Sequence, residues 1–237
     1  MKRLLLVLLC FSLIGCAASA RNHYNHAVFN FNRKLDKHVV LPVTRFYVRT
    51  MPHRLQNMAL NFIDNLMGIP TVANDLLQMD YEYASIDTKR FVANSVFGVG
   101  GTLDVASHWG IPKHLNDFGL TLAKWGYRHT HYILLPVLGP STPRDVIGHV
   151  VDAGMNPLSY VHPLWIGYAE AAGEFLPRRS RYLGAEKMID SAFDPYVFVE
   201  NAYEQKRKKE ITIVMHRGHH CHAPTCSGHP LRNSRIS

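Results

Sequence analysis

The stretch "PHRLQNMALNFIDNLM", Pro52 to Met67, decides the fold class. Leu55, Met58, Leu60, Phe62, Ile63 and Leu66 recur at helical spacing and mark one apolar face. Proline opens the run, and Gly68 follows it as a stop signal. The same grammar repeats outward. Pro70 to Gln78 reads as a second short helix. Asp87 or Ser85 can cap "TKRFVANSVFG", which runs to Gly98. "LNDFGLTLAKWG" puts Phe118, Leu122 and Trp125 on one side and ends at Gly126. Further helices are expected at Pro143 to Asp152, Val161 to Leu176, Ala185 to Phe193 and Pro195 to Lys209. Strand alternation is scarce. The expected class is all-α.

No mature segment reads as a membrane span. The longest stretch without Asp, Glu, Lys or Arg, Ala153 to Ala169, holds Pro157, Pro163 and several polar residues. If the body meets a membrane, its helices lie in or across the lipid with their polar groups turned inward. "YILLPVLGPSTPRD", Tyr132 to Asp145, combines an apolar run with a helix start. Thr142 can cap a helix whose first residue is Pro143, with Asp145 near the positive end of the dipole. Gly139 alone does not make a phosphate cradle, which needs several backbone N–H groups presented together.

The N-terminus "MKRLLLVLLCFSLIGCAASA" carries a basic start at Lys2 and Arg3, then the apolar run Leu4 to Ile14. That run is short of the roughly 20 helical residues that cross a bilayer, so residues 1–15 read as a signal peptide. Its end, "LIGC", resembles the bacterial lipobox. Cys16 is then the mature first residue and the site of lipidation, carrying a covalent diacylglycerol and an N-acyl chain. The alternative is an ordinary cleaved signal with an incidental cysteine. Ala17 stands at position two where an Asp would retain the protein in the inner membrane, and in the enteric-type sorting rule this implies the outer membrane. Residues 16–23 form a lipidated linker. Loss of Lys2 and Arg3 leaves 24 bases against 18 acids. Such a basic surface suits anionic headgroups as well as nucleic acid, and a lipoprotein route argues against nucleic acid.

From about Lys206 the character changes, and residues 211–237 read as a His/Cys-rich tail. His216, His219, His220, Cys221, His222, Cys226 and His229 are ligand types for Zn²⁺ or Cu²⁺. Their spacing matches no standard zinc module, so no metal site is assigned. Cys221 and Cys226 could form a local disulfide in an oxidising compartment.

From Tyr24 to about Asp152 the sequence resembles the MlaA (VacJ) family of outer-membrane phospholipid-trafficking lipoproteins. "FNFNRKLD" (Phe29 to Asp36), "NFIDNLMGIPTVANDLLQ" (Asn61 to Gln78) and "RFVANSVFGVGGTLDVAS" (Arg90 to Ser107) follow family motifs in order. "DFGLTLAKWG" (Asp117 to Gly126), "YILLPVLGPSTPRD" and a late "DPYVFVENAY" (Asp194 to Tyr203) complete the series. The chain departs from the family at "ARNHYNH", Ala20 to His26, where an acidic stretch is usual. It departs again at "GYRHTHY", Gly126 to Tyr132, where the family has a glycine-rich loop. Arg128, His129 and His131 could there make a basic headgroup contact.

The resemblance implies a helical domain over residues 24–210, built as a ring of short amphipathic helices around an amphipathic channel, with no transmembrane span. It implies a lipid-anchored, periplasm-facing protein of the outer membrane that removes misplaced phospholipid from the outer leaflet. The implied partners are phospholipid, a trimeric outer-membrane porin and a periplasmic carrier of the MlaC type. Asn30 and Phe31 are implied to shape the lipid channel, and Gly98, Gly100 and Gly101 to permit close approach or positive φ.

Two other classes of function are weighed. A phospholipase would need a nucleophile, but Ser141 lies in "GPST", which lacks the G-x-S-x-G elbow. Asp104, His108 and Asp117 are acid–base types whose geometry nothing in the sequence fixes. No catalytic residue and no cofactor beyond the covalent lipid is assigned. The other alternative is a lipidated metal-binding protein that uses the His/Cys tail.

Overall fold

The computed structural model describes residues 20–114, 116–128, 130–160, 173 and 175–217. Cys16, the signal segment, Cys221 and Cys226 lie outside these residues, as does most of the helix expected over Val161 to Leu176. The described chain is mainly helical, and no helix in it is long and apolar enough to cross a membrane.

Helix α1 occupies residues 20–35 and runs without a break into a π turn, Asp36–Val40, and then α2, Leu41–Thr50. Pro42 explains the π turn. A proline inside a helix lacks its N–H and crowds the carbonyl four residues back, and widening the preceding turn relieves that crowding. The Leu41 N–H accordingly reaches five residues back, to the Asp36 carbonyl. The linker expected over 16–23 is therefore helical from residue 20.

Helices α3 (His53–Leu66) and α4 (Gly68–Leu77) follow. Gly68 starts α4 rather than only stopping α3, and Pro70 sits in its first turn, where a missing N–H costs nothing. Helix α5 spans Tyr81–Phe97, so Ser85 and Asp87 lie inside it and do not cap it. The Ser85 hydroxyl instead donates to the Glu82 carbonyl at 2.8 Å, and Asp87 is buried. Helix α6 is the single turn Val105–His108, capped by Asp104. Helix α7, Phe118–Lys124, is capped by Asp117.

The apolar run after it is a small antiparallel hairpin, β1 (Ile133–Leu135) and β2 (Gly139–Ser141), with Leu134 opposite Pro140. Helix α8, Pro143–Met155, then begins as the letters indicate, with the Thr142 hydroxyl accepting from the Asp145 N–H at 3.2 Å. Residues 175–180 are helical (α9), followed by α10, Ala185–Ser191, and α11, Pro195–His216. Helix α11 extends seven residues past the expected Lys209. Val214 is buried on it, so residues 211–217 belong to the folded body and not to a tail.

These elements close a circuit. Asn32 of α1 donates to the Leu135 carbonyl at 2.9 Å, and Tyr132 meets Tyr196 and Tyr203 of α11 edge-on. Helix α11 reaches α7 and α8 through Arg207. Those two helices cross closely: a Cβ on Gly148 would meet the Gly119 nitrogen at 2.5 Å. Asn74 of α4 donates to Asp152 of α8 at 2.8 Å, and α4 packs on α3 and α5. Asp64 of α3 accepts from Arg178 of α9 at 2.8 Å, and Arg179 returns to Asp36 at 2.9 Å. The arrangement is a ring.

Candidate functional site

Inside the ring, between α4, α7, α8 and α11, lies a cavity of about 580 Å³. Most of the residues lining it are polar or charged, with Met67, Pro70, Leu120 and Ala153 as apolar patches, and carbon atoms make up the larger share of the exposed wall. The polar side chains come from the starts of α4 and α7, from the length of α8 and the turn after it, from Arg178 of α9 and from one stripe of α11. Asp117 caps α7, accepting from the Leu120 N–H at 2.8 Å, and Asp145 sits in the first turn of α8. Both carboxylates stand at positive helix ends. Arg207 joins them, with a fork onto Asp117 at 2.8 and 2.7 Å and one bond to Asp145 at 2.7 Å. Glu210 accepts from Arg207 at 3.0 Å, and the Tyr203 hydroxyl donates to Asp145 at 2.5 Å.

Burial raises the Asp145 pKa, but the hydrogen bonds from Arg207 and Arg144 outweigh it and hold the carboxyl well below the usual range. Burial lowers the Arg207 pKa, yet Asp117 and Asp145 drive it above the ordinary value. Asp152 behaves oppositely. Burial dominates and raises it, although Phe118 N–H and Asn74 donate to it.

A polar network continues from the cavity wall between α4, α7 and α5. Gln78 donates to Asn116 and Thr121, both at 2.8 Å, and Asn116 donates to Asp75 at 2.6 Å. Asp75 is fully enclosed, and burial, partly offset by the Asn116 bond, pushes its pKa up to about 7. Arg90 of α5 donates to both oxygens of Asp104, at 2.6 and 2.7 Å, and Asn94 receives the Ala106 N–H at 2.8 Å. Gly101, at φ +92°, lies so close to Asn65 that a Cβ would meet its amide at 2.5 Å. Gly100 and Gly101 thus have positive φ, Gly101 also being a close approach, and Gly98, at φ −95°, is a close approach as well, since a Cβ there would run into the Leu103 and Asn94 carbonyl oxygens.

Among the described residues buried polar side chains outnumber buried apolar ones, although Val28, Tyr132, Leu134 and Tyr196 form an apolar core cluster. Large apolar side chains lie exposed on most helices, among them Phe46 at 69%, Val96 at 66% and Val150 at 69%, and Leu138 at the hairpin tip reaches 81%. A monomer surrounded only by water rarely shows so much apolar surface.

The sequence-derived candidates are placed as follows. Asn30 and Phe31 lie mid-helix on α1 with exposed side chains. Neither lines the ring cavity or the pocket beside α1; their neighbours Phe29 and Asn32 line that pocket. Asp104 and Asp117 are each committed to a different arginine, Arg90 and Arg207, rather than to one acid–base set. Ser141 is buried, its hydroxyl directed to the Thr142 carbonyl. Of the apolar run, Tyr132 and Leu134 are core residues against Val28 and Tyr196, while Val137 and Leu138 project. Arg128 and His131 are exposed; His129 lies outside the described residues. His216 ends α11, and the remaining tail ligands lie outside the described residues.

Arg207 was missed because it stands in "KRKK", which reads as a solvated charge run. The signal was present in the spacing. Tyr196, Tyr203, Arg207, Glu210 and Val214 share one helical stripe, and that stripe faces inward.

The sequence profile of the family described as MlaA lipoprotein matches residues 20–210. The "Intermembrane phospholipid transport system lipoprotein MlaA" of Shigella flexneri is 31% identical over 209 residues, covering 82% of each chain. The protein of that name in Haemophilus influenzae is 29% identical over 223 residues, covering 84% of this chain and 86% of its own. A solved structure described as "Structural basis for maintenance of bacterial outer membrane lipid asymmetry" superposes with a TM-score of 0.73 at 28% identity. It covers 80% of this chain and 97% of that one. The ring, the motif order and these likenesses agree: the chain belongs to the MlaA lipoprotein family.

Proposed function

We propose that this protein is a lipoprotein of an intermembrane phospholipid transport system that maintains outer-membrane lipid asymmetry. In this reading it is held in the outer membrane by a diacylglycerol and an N-acyl chain on Cys16, facing the periplasm. It takes mislocalised phospholipid from the outer leaflet and passes it to a soluble periplasmic carrier of the MlaC type, working beside a trimeric porin. The observation that carries the reading is the polarity of the ring. Apolar side chains on the outside suit a lipid environment, and a charged cavity inside suits a headgroup that must leave water. Family membership, and the names borne by its relatives, support the same process.

The cavity is suited to passage rather than to chemistry. Its strongest acids and bases neutralise one another, so a zwitterionic or anionic headgroup meets a balanced wall and no activated nucleophile. The test is genetic. Deleting the gene should raise phospholipid in the outer leaflet, measured by an amine-reactive label that does not cross the membrane. Wild type should restore the normal level and Cys16→Ala should not. An unchanged outer leaflet after deletion would remove this function.

A further inference from the structure

A second cavity, of about 300 Å³, lies between α1, the hairpin, α10 and α11, separate from the ring cavity. Its walls are Phe29, Leu134, Pro140, Ile189 and Val199. The charges on its rim are spent on each other. Arg33 pairs with Asp190, and Arg179 pairs with Asp36 at 2.9 Å and Glu186 at 2.5 Å. Asn32 is likewise committed, donating to the Leu135 carbonyl at 2.9 Å and accepting from the Val137 N–H at 2.8 Å. A polar ligand entering here would lose its hydration and find no free charge in return. An apolar chain would lose nothing. The bond from Val137 to Asn32 also sets the hairpin tip beside the rim, so the exposed Val137 and Leu138 adjoin the pocket.

We propose that this pocket is a binding site for one acyl chain of a membrane phospholipid, entered from the apolar surface at the hairpin tip. The proposal rests on the reading that the protein handles phospholipid. It adds a place where a tail is held while the headgroup engages elsewhere, and so names the part of the lipid that this face recognises.

The test uses the full lipidated protein in phosphatidylethanolamine/phosphatidylglycerol vesicles that contain a phosphatidylcholine with a diazirine in its acyl chain. After irradiation, adducts are mapped by peptide mass spectrometry. Leu134 is the decisive residue, because at 2% exposure a lipid tail can label it only from within the pocket. Adducts are expected at Leu134, Ile189 and Val199. They should be lost when Ile189→Trp or Val199→Trp fills the space, with helix content unchanged by circular dichroism. Adducts at Met67 or Leu120, in the ring cavity, report separately on lipid handling. Labelling there without labelling at Leu134 would overturn the pocket and leave the transport reading standing. No labelling at either place would overturn both. Labelling of Leu134 only in Cys16→Ser would mean that the protein's own anchor chain fills the pocket, which also overturns the proposal.

Discussion

Arg207 concentrates the electrostatics of the ring at one side chain. It is mostly buried, and it is the shared counter-charge for Asp117 and Asp145, which cap or open two different helices. Removing it leaves Asp145 with Arg144 as its counter-charge and takes the guanidinium from the partly exposed Asp117, which costs about 3 kcal/mol, the lower end for breaking a buried pair. Arg207→Met should therefore lower stability by that amount in chemical denaturation at neutral pH. The sign with pH follows from Asp145. Its folded pKa is depressed, so its pairing contributes stability above the ordinary carboxylate range, and that contribution is lost as pH falls through the folded value. In the variant the Asp145 carboxyl takes a proton at a higher pH, so the deficit should shrink on acidification. A deficit independent of pH would mean that Arg207 acts by packing alone. Thr142, Pro143 and Asp145 were legible as a helix start because capping is local chemistry. Arg207 was not, because partners 62 and 90 residues away decide its burial.

Helix α1 is the element on which the hairpin hangs, and it does so at two heights. Asn25 accepts from the Leu134 N–H at 2.9 Å and Val28 packs with Tyr132, while Asn32 holds both Leu135 and Val137. Asn30 and Phe31 lie between these two attachments with their side chains exposed. Their importance is then one of register rather than contact. Deleting two residues turns one half of the helix by about 200° relative to the other and shortens it by about 3 Å. Asn25 and Asn32 could no longer both face the hairpin. The deletion should release the hairpin and disturb lipid flow, seen as excess outer-leaflet phospholipid and detergent sensitivity. Asn30→Ala with Phe31→Ala keeps the register and should be close to wild type. If the double alanine variant matches the deletion, the side chains themselves matter and the register argument is wrong. The helix was hidden in the sequence because its inward positions Asn25, Val28 and Asn32 are mostly polar and make no apolar stripe. The hairpin was hidden because each strand has three residues, too few to alternate visibly.

At the scale of the whole molecule, the periodicity of single helices predicts helices but not which face turns inward. Leu55, Leu60, Phe62, Ile63 and Leu66 mark an apolar stripe on α3, and in a water-soluble bundle that stripe would be the core. Here the stripe is split: Leu60 and Ile63 are buried beside Gln56 and Asn65, while Leu55 and Phe62 are among the exposed residues. The buried set includes Asn74, Asp75, Arg90, Asn94 and Arg144, each of which needs satisfied partners to be tolerated away from water. A ring that shields polar groups inside and offers apolar ones outside is stable where the outside is lipid. Polarity alone should therefore bring the body to a bilayer without the lipid proposed on Cys16. Cys16→Ser protein should still bind vesicles of phosphatidylethanolamine and phosphatidylglycerol in a flotation assay. Adding Phe46→Glu, Val96→Glu and Val150→Glu should abolish that binding, since a charge in hydrocarbon costs at least ~2–3 kcal/mol per residue. The same changes should leave the thermal midpoint in detergent-free buffer unchanged or raised, because these side chains meet solvent rather than the core. A fall in that midpoint with binding intact would mean that these faces pack against protein, and the ring would then be a water-soluble scaffold held to the membrane by its lipid alone.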